Sequence, residues 1–107
     1  MTRLAFILFP VFLAHGQPGP GPRFDDLYRG GSREVFSREP NAFLAGMVST
    51  RPPGTALDVG MGQGRNTIFL AQQGWQVAGF DISDEGVKQA RAEAARLHLR
   101  LNAVVAS

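Results

Sequence analysis

Three glycines at alternate positions, Gly60, Gly62 and Gly64, constrain this chain more than any other feature of its sequence. They follow the largely apolar segment 55–59, in which Asp58 is the one charged residue. Glycine is needed where a tight turn requires positive φ values, and its missing Cβ lets a ligand approach the backbone. An ordinary strand-to-helix turn does not need three of them. We therefore interpret the segment as a ligand-binding turn at the carboxyl end of a strand.

Predicted helices and strands alternate on both sides of this turn. Apolar residues at helical spacing indicate helices, and short apolar runs with β-branched residues indicate strands. The predicted elements are a short amphipathic helix after Pro40, strand one at 55–59, a helix at 65–73, strand two at 76–80, a helix at 84–98 and strand three at 101–106. Strand, glycine turn, helix and strand in this order are typical of the βαβ unit of an α/β fold, with parallel strands and a right-handed crossover.

An acid, Asp81, ends the second predicted strand. A carboxylate at this place can accept hydrogen bonds from both hydroxyls of a ribose, although it could also merely cap the following helix. A dinucleotide site would require the spacing G-x-G-x-x-G. Arg65 stands where the third glycine belongs if the pattern starts at Gly60, and Thr67 stands there if it starts at Gly62. The spacing therefore argues against a pyrophosphate ligand and leaves a nicotinamide-dependent oxidoreductase as a weaker alternative.

The stretch from Leu57 to Ser83 resembles the class I S-adenosylmethionine (SAM)-dependent methyltransferases. In that family an acid followed by G-x-G-x-G forms the first motif, and a second acid ends the second strand; Asp58 and Asp81 stand at those places. Residues 65–67 and 70–74 are similar to a subgroup of small bacterial methyltransferase-domain proteins. The resemblance implies SAM as the cofactor and the following cofactor-binding residues: Asp58, Gly60, Met61, Gly62, Gly64, Asp81 and Ile82.

The resemblance also implies what these residues do. Gly60 and Gly62 would lie against the methionine part of SAM, and Asp58 would shape the loop and bind near the amino group. Asp81 would bind the ribose, and Ile82 would pack on the adenine. In the family the loop that faces the transferred methyl group follows a later strand. The sequence therefore names no catalytic residue, and the methyl acceptor is expected to be an unknown small molecule.

The family fold has seven strands in three αβα layers, of which this sequence supplies strands one to three. We therefore expect the N-terminal half of a Rossmann-like SAM-methyltransferase fold, truncated after the third strand, with parallel strand order 3-2-1. Strand one then has an open edge where the family's fourth strand pairs, which favours self-association or a partner chain there. Such a chain is expected to be weakly active or inactive alone. The alternative is a non-catalytic nucleotide-binding or interaction module that pairs through this edge.

The first sixteen residues are predicted to form a signal peptide for export to the periplasm. Arg3 precedes the apolar run 4–13, and small residues follow at the spacing that signal peptidase uses. The run is too short for a stable membrane span. A buried N-terminal segment, or a cytoplasmic protein with a later start, are the alternatives. Proline and glycine mark 17–38 as linker and loop, with at most one helical turn, and 39–107 as the partial methyltransferase domain.

The rest of the composition excludes several kinds of site. The chain has no cysteine, and its two histidines, His15 and His98, are isolated, so we expect neither disulfides nor a metal site. The net charge is +2, but the arginines are scattered among acids, which argues against a nucleic-acid surface.

Several aromatic residues lie outside the glycine motif. We interpret Tyr28 and Trp75 as packing residues. Phe36, Asn41 and Phe43 precede strand one, where the family often folds a segment over the cofactor. We favour core packing for these three residues over contact with the cofactor.

Overall fold

The computed structural model describes residues 4–7, 24–30 and 37–107 of the chain. Its elements in chain order are β1 (Leu4–Ile7), α1 (Phe24–Arg29), α2 (Ala42–Ser49), β2 (Thr55–Val59), α3 (Arg65–Gln72), β3 (Gln76–Asp81), α4 (Asp84–Arg96) and β4 (Asn102–Val105). The elements predicted from residue 40 onward are confirmed, with ends that differ by one or two residues. Among the described residues, no helix has the length and apolar character needed to cross a bilayer.

The four strands form one parallel sheet in the order β1-β2-β3-β4. Predicted strands one, two and three are β2, β3 and β4, so the predicted order 3-2-1 is confirmed. The expected open edge of strand one is wrong, because β1 pairs with β2 from Leu4 opposite Thr55 to Ile7 opposite Asp58. An apolar run pairs well with an exposed strand, whose free N–H and C=O groups need partners. Self-association through this edge therefore has no support in the described sheet.

The new strand β1 falls inside the segment predicted to be a signal peptide. Residues 1–3 and 8–16 of that segment lie outside the described residues, as does most of the predicted linker and loop. Export therefore stays a prediction. The helical turn expected between residues 24 and 38 is present as α1.

Helices α2, α3 and α4 pack on one face of the sheet. A core cluster joins α2 and α3 to Ala56 and Val77, and a second cluster joins α4 to Ala103. Val77 and Gly79 lie on the same face because side chains alternate along a strand, and Gly79 is paired with Ala103. Right-handed crossovers between successive parallel strands produce this arrangement. Of the three predicted layers, the described residues contain the sheet and one layer of helices.

Helix α1 packs on the N-terminal end of α4. The carboxylate of Asp25 accepts a hydrogen bond from the Ser83 hydroxyl at 2.5 Å and from the Glu85 amide at 3.2 Å. Gln89 in α4 donates its side-chain amide to the carbonyl of Tyr28 at 3.0 Å. Because α4 begins directly after β3, these contacts hold α1 close to the carboxyl ends of the strands.

Candidate functional site

The turn between β2 and α3 has the backbone conformation that its glycines predict. The φ angles are +74° at Gly60, +54° at Gly62 and +81° at Gly64, values that residues with a Cβ adopt at a cost. A Cβ placed on Gly60 would have no atom within 4 Å. The backbone at Gly60 therefore borders open space, where a ligand can approach it.

The loop is attached to the end of β3. The amides of Gly60 and Met61 both donate to the carbonyl of Phe80, at 2.9 and 3.0 Å. The amide of Gly62 donates to Oδ2 of Asp81 at 2.8 Å, and the amide of Ser83 donates to Oδ1 at 2.8 Å. Each carboxylate oxygen has a further lone pair, so Asp81 can accept more hydrogen bonds. A carboxylate in this position can bind paired hydroxyl groups next to the glycine loop.

Asp58 lies behind the loop rather than on its surface. Its side chain is only 2% exposed, and Oδ2 accepts a hydrogen bond from the Thr67 hydroxyl at 2.6 Å. Burial raises the pKa of Asp58, and hydrogen bonds from Thr67 offset part of that rise. Thr67 lies in the first turn of α3, so this contact ties β2 to the helix across the loop. The geometry supports loop shaping by Asp58, whereas its contact with the amino group of SAM stays a prediction.

The side chain of Met61 lies beneath the loop. It is 5% exposed and belongs to the core cluster with Val87 and Ala90. A Cβ on Gly79 would lie 2.8 Å from the Met61 sulfur and 3.3 Å from the Thr67 hydroxyl, so this strand position accepts only glycine without movement. Gly79 is not among the predicted site residues, although a glycine inside a predicted strand is a signal of close approach. A contact of Met61 with the cofactor stays a prediction.

Ile82 is the exposed apolar residue of the site. It follows Asp81 directly, and 61% of its surface is accessible. An apolar side chain next to a carboxylate with lone pairs to spare offers a surface on which a planar base can pack. The structure thus brings Asp81 and Ile82 together at the end of β3, beside Gly60 and Gly62.

Tyr28, predicted from the sequence to be a packing residue, lies at the site. Its hydroxyl lies so close to Gly62 that a Cβ there would overlap it, and a Cβ on Gly86 would lie 2.9 Å from the Tyr28 ring. Burial, and secondarily the negative charge of Asp81, raise the pKa of Tyr28. Helix α1 therefore places a phenol over the glycine loop and near the carboxylate at the end of β3.

The three residues that precede strand one were expected to pack in the core, and the structure places them differently. Phe36 lies outside the described residues, and Phe43 is 77% exposed, so core packing is wrong for Phe43. Asn41 caps α2 by accepting hydrogen bonds from two of its amides, and its own amide donates to the side chain of Asn66 at 2.8 Å. Core packing of Trp75 is confirmed, since it is 7% exposed within the cluster of α2 and α3.

A parallel sheet with a three-glycine loop after one strand and an acid at the end of the next defines a Rossmann-like α/β domain. Residues 56–107 match the family described as methyltransferase domain. Together with two similar structures, this match supports a class I SAM-dependent methyltransferase domain in the second half of the chain.

Both structures are similar over most of this chain. One comes from work on the conversion of a disulfide bond into a thioacetal group during echinomycin biosynthesis. It is 30% identical to this chain, with a TM-score of 0.70 over 78% of the chain. The other, TehB from Haemophilus influenzae, is 18% identical with a TM-score of 0.63 over 79% of this chain, and supports the fold alone. The matches span 39% and 29% of those two proteins. No curated protein is significantly similar to this chain.

Proposed function

We propose that this domain binds SAM at the glycine loop and belongs to an enzyme that methylates a small molecule. The observation that carries the proposal is the position of Asp81. Its carboxylate is fixed by the Gly62 amide at 2.8 Å and retains lone pairs for two hydroxyl groups. SAM when bound supplies a methyl group on a positively charged sulfur. The open space over Gly60 and the exposed side chain of Ile82 fit the rest of such a ligand.

Each site residue has a separate task in this proposal. Asp81 accepts hydrogen bonds from the ribose hydroxyls, and Ile82 packs against the adenine. Gly60 gives the methionine part access to the backbone, and Gly62 does so once the Tyr28 hydroxyl moves away from it. Asp58 holds the loop through Thr67 and binds near the amino group of SAM. Tyr28 covers the loop from the side of α1 and shields the bound ligand from water. These residues bind and orient the donor, which is a large part of catalysis in a displacement reaction.

The methyl acceptor is not defined by the residues described. Methyl transfer is an in-line displacement that requires the acceptor atom to face the donor, sometimes with a general base. No described residue beside the loop offers an acceptor pocket that we can assign. The chain spans 39% and 29% of the two similar proteins, and methyl transfer by the whole protein is therefore the further part of the proposal.

Calorimetric titration of the full chain with S-adenosylhomocysteine tests the proposal. We expect saturable binding that the Asp81→Asn variant weakens by about tenfold or more, since charge-assisted hydrogen bonds to the ribose are lost. Asp84→Asn is the matched control, because Asp84 is an exposed acid three residues further on. NAD should not bind comparably. No binding by a chain that circular dichroism shows to be folded, or equal loss in both variants, overturns the proposal.

A further inference from the structure

A groove lies between α3 and α4, separate from the surface formed by Gly60, Asp81 and Ile82. Its volume is about 220 Å³, and residues 37–40 form its third wall. Apolar atoms of Pro40, Ile68, Phe69 and Leu97 line part of it. Pockets for drug-sized ligands measure about 300–1,000 Å³, so this groove suits a smaller molecule.

The charged lining of the groove is unbalanced. Arg38, Arg65 and Arg96 line it together with one carboxylate, Glu93, which leaves two positive charges in excess. Arg96 engages both oxygens of Glu93, at 2.9 and 2.6 Å. Arg38 approaches the same carboxylate only to 3.8 Å. Arg65 donates to the backbone carbonyl of Glu39 at 3.2 Å and, among the described residues, forms no ion pair.

An anion would complete this arrangement. A guanidinium group presents several N–H donors in a plane that matches a carboxylate or a phosphate, and both Arg38 and Arg65 have donors to spare. Carboxamides of Gln63 and Gln72 line the same groove and can donate further hydrogen bonds, whereas the side-chain amide of Gln89 already donates to Tyr28 and Glu85. The apolar lining would bury the uncharged part of the ligand.

We propose that the groove binds a small organic anion, a carboxylate or phosphate monoester with an apolar body. One residue, Gln63, belongs to both the groove and the glycine loop. Its amide donates to the side chain of Gln89 at 2.6 Å, and Gln89 donates to the carbonyl of Tyr28 at 3.0 Å. The groove is therefore adjacent to the site of the proposed cofactor, but its charged groups are different ones.

Titration of the full chain with phenyl phosphate, followed by NMR shifts or calorimetry, tests this proposal. We expect saturable binding that Arg65→Gln and Arg38→Gln each weaken roughly tenfold, as expected for loss of a hydrogen bond between two charged groups. Arg51→Gln is the control, because Arg51 is exposed and lies outside the groove. Benzoate, in a parallel titration, distinguishes a carboxylate ligand from a phosphate ligand. Inorganic phosphate should bind more weakly than phenyl phosphate, since it cannot use the apolar lining.

Three results overturn the proposal. The first is that neither aromatic anion saturates the chain. The second is that Arg51→Gln weakens binding as much as Arg65→Gln does. The third is that saturating S-adenosylhomocysteine displaces phenyl phosphate. Binding that survives Asp81→Asn supports a separate site, and this result does not depend on whether the chain binds S-adenosylhomocysteine. Two groove variants are used so that, if circular dichroism shows one of them to be unfolded, the other still decides the proposal.

Discussion

The amide of Gly62 donates a hydrogen bond to Oδ2 of Asp81 over 2.8 Å. This bond joins the middle of the glycine loop to the end of the neighbouring strand. The hydroxyl of Tyr28 approaches Gly62 from the other side. Loop shape, carboxylate position and the cover formed by α1 therefore depend on one another.

Gly62→Ala should destabilise the chain more than Gly60→Ala does. Both positions have positive φ, at +54° and +74°, which costs roughly 1–2 kcal/mol for an alanine. At Gly62 the new methyl group also overlaps Tyr28, whereas at Gly60 it meets nothing within 4 Å. Urea denaturation of both variants measures the difference in the free energy of unfolding. The difference should shrink in a Tyr28→Ala background, and a difference that persists there would show that Tyr28 is not its cause.

Gly79→Ala should destabilise the sheet by about 1–3 kcal/mol, the usual cost of overpacking a core. Its methyl group would lie 2.8 Å from the sulfur of Met61 and 3.3 Å from the Thr67 hydroxyl. Gly46→Ala is the comparison, because a Cβ there has no neighbour within 4 Å and alanine favours the helix. Thermal unfolding of the two variants should give melting temperatures that move in opposite directions. A Gly79→Ala protein as stable as the parent chain contradicts the close packing of Gly79 against Met61 and Thr67.

The protonated form of Asp58 should stabilise the parent chain at low pH. The Asp58→Asn variant lacks this titrating group and should lack the effect. Burial raises the pKa of Asp58 in the folded state, so the folded chain holds this proton more tightly than the unfolded chain. The contribution is fully present below the ordinary aspartate pKa, and it is lost as pH rises through the raised value. The free energy of unfolding, measured by urea at a series of pH values, should therefore decline more steeply with rising pH in the parent chain than in Asp58→Asn.

Thr67→Val gives the same titration a second test. Removing the hydroxyl takes away a hydrogen bond that lowers the pKa of Asp58, so the decline should extend to higher pH. The variant should also lose about 1–3 kcal/mol, because a buried acceptor is left unsatisfied. Profiles that coincide for the parent chain, Asp58→Asn and Thr67→Val would falsify the assignment to Asp58.

Removal of residues 1–16 should expose the edge of β2. This deletion corresponds to cleavage of the predicted signal peptide, and it removes β1 together with its pairing from Leu4 to Ile7. Exposed strand edges promote association, so sedimentation should show oligomers and urea should show lower stability. Deletion of residues 1–3 is the control, since it retains β1. A monomer of unchanged stability after the longer deletion would show that β1 contributes nothing to the fold.

The glycine loop and its flanking elements could be predicted because their signals are local. Helical spacing, strand composition and the glycines between residues 55 and 81 each act over a few neighbouring positions. The cover by Tyr28 could not be predicted in this way, because it depends on Asp25 binding Ser83, far along the chain. The strand β1 was missed for a similar reason, since an apolar run does not specify which partner it pairs with.

The hydroxyl of Ser83 donates to Asp25 and accepts from the amide of Gly86 at 3.0 Å. The amide of Glu85, which donates to Asp25 at 3.2 Å, is thus protected from solvent exchange only while α1 is docked, whereas the amide of Gly86 keeps its local bond to Ser83. The amide of Glu85 should therefore exchange with deuterium at a rate set by the undocking of α1. In that case, isotope exchange at one backbone position reports how often the glycine loop is uncovered.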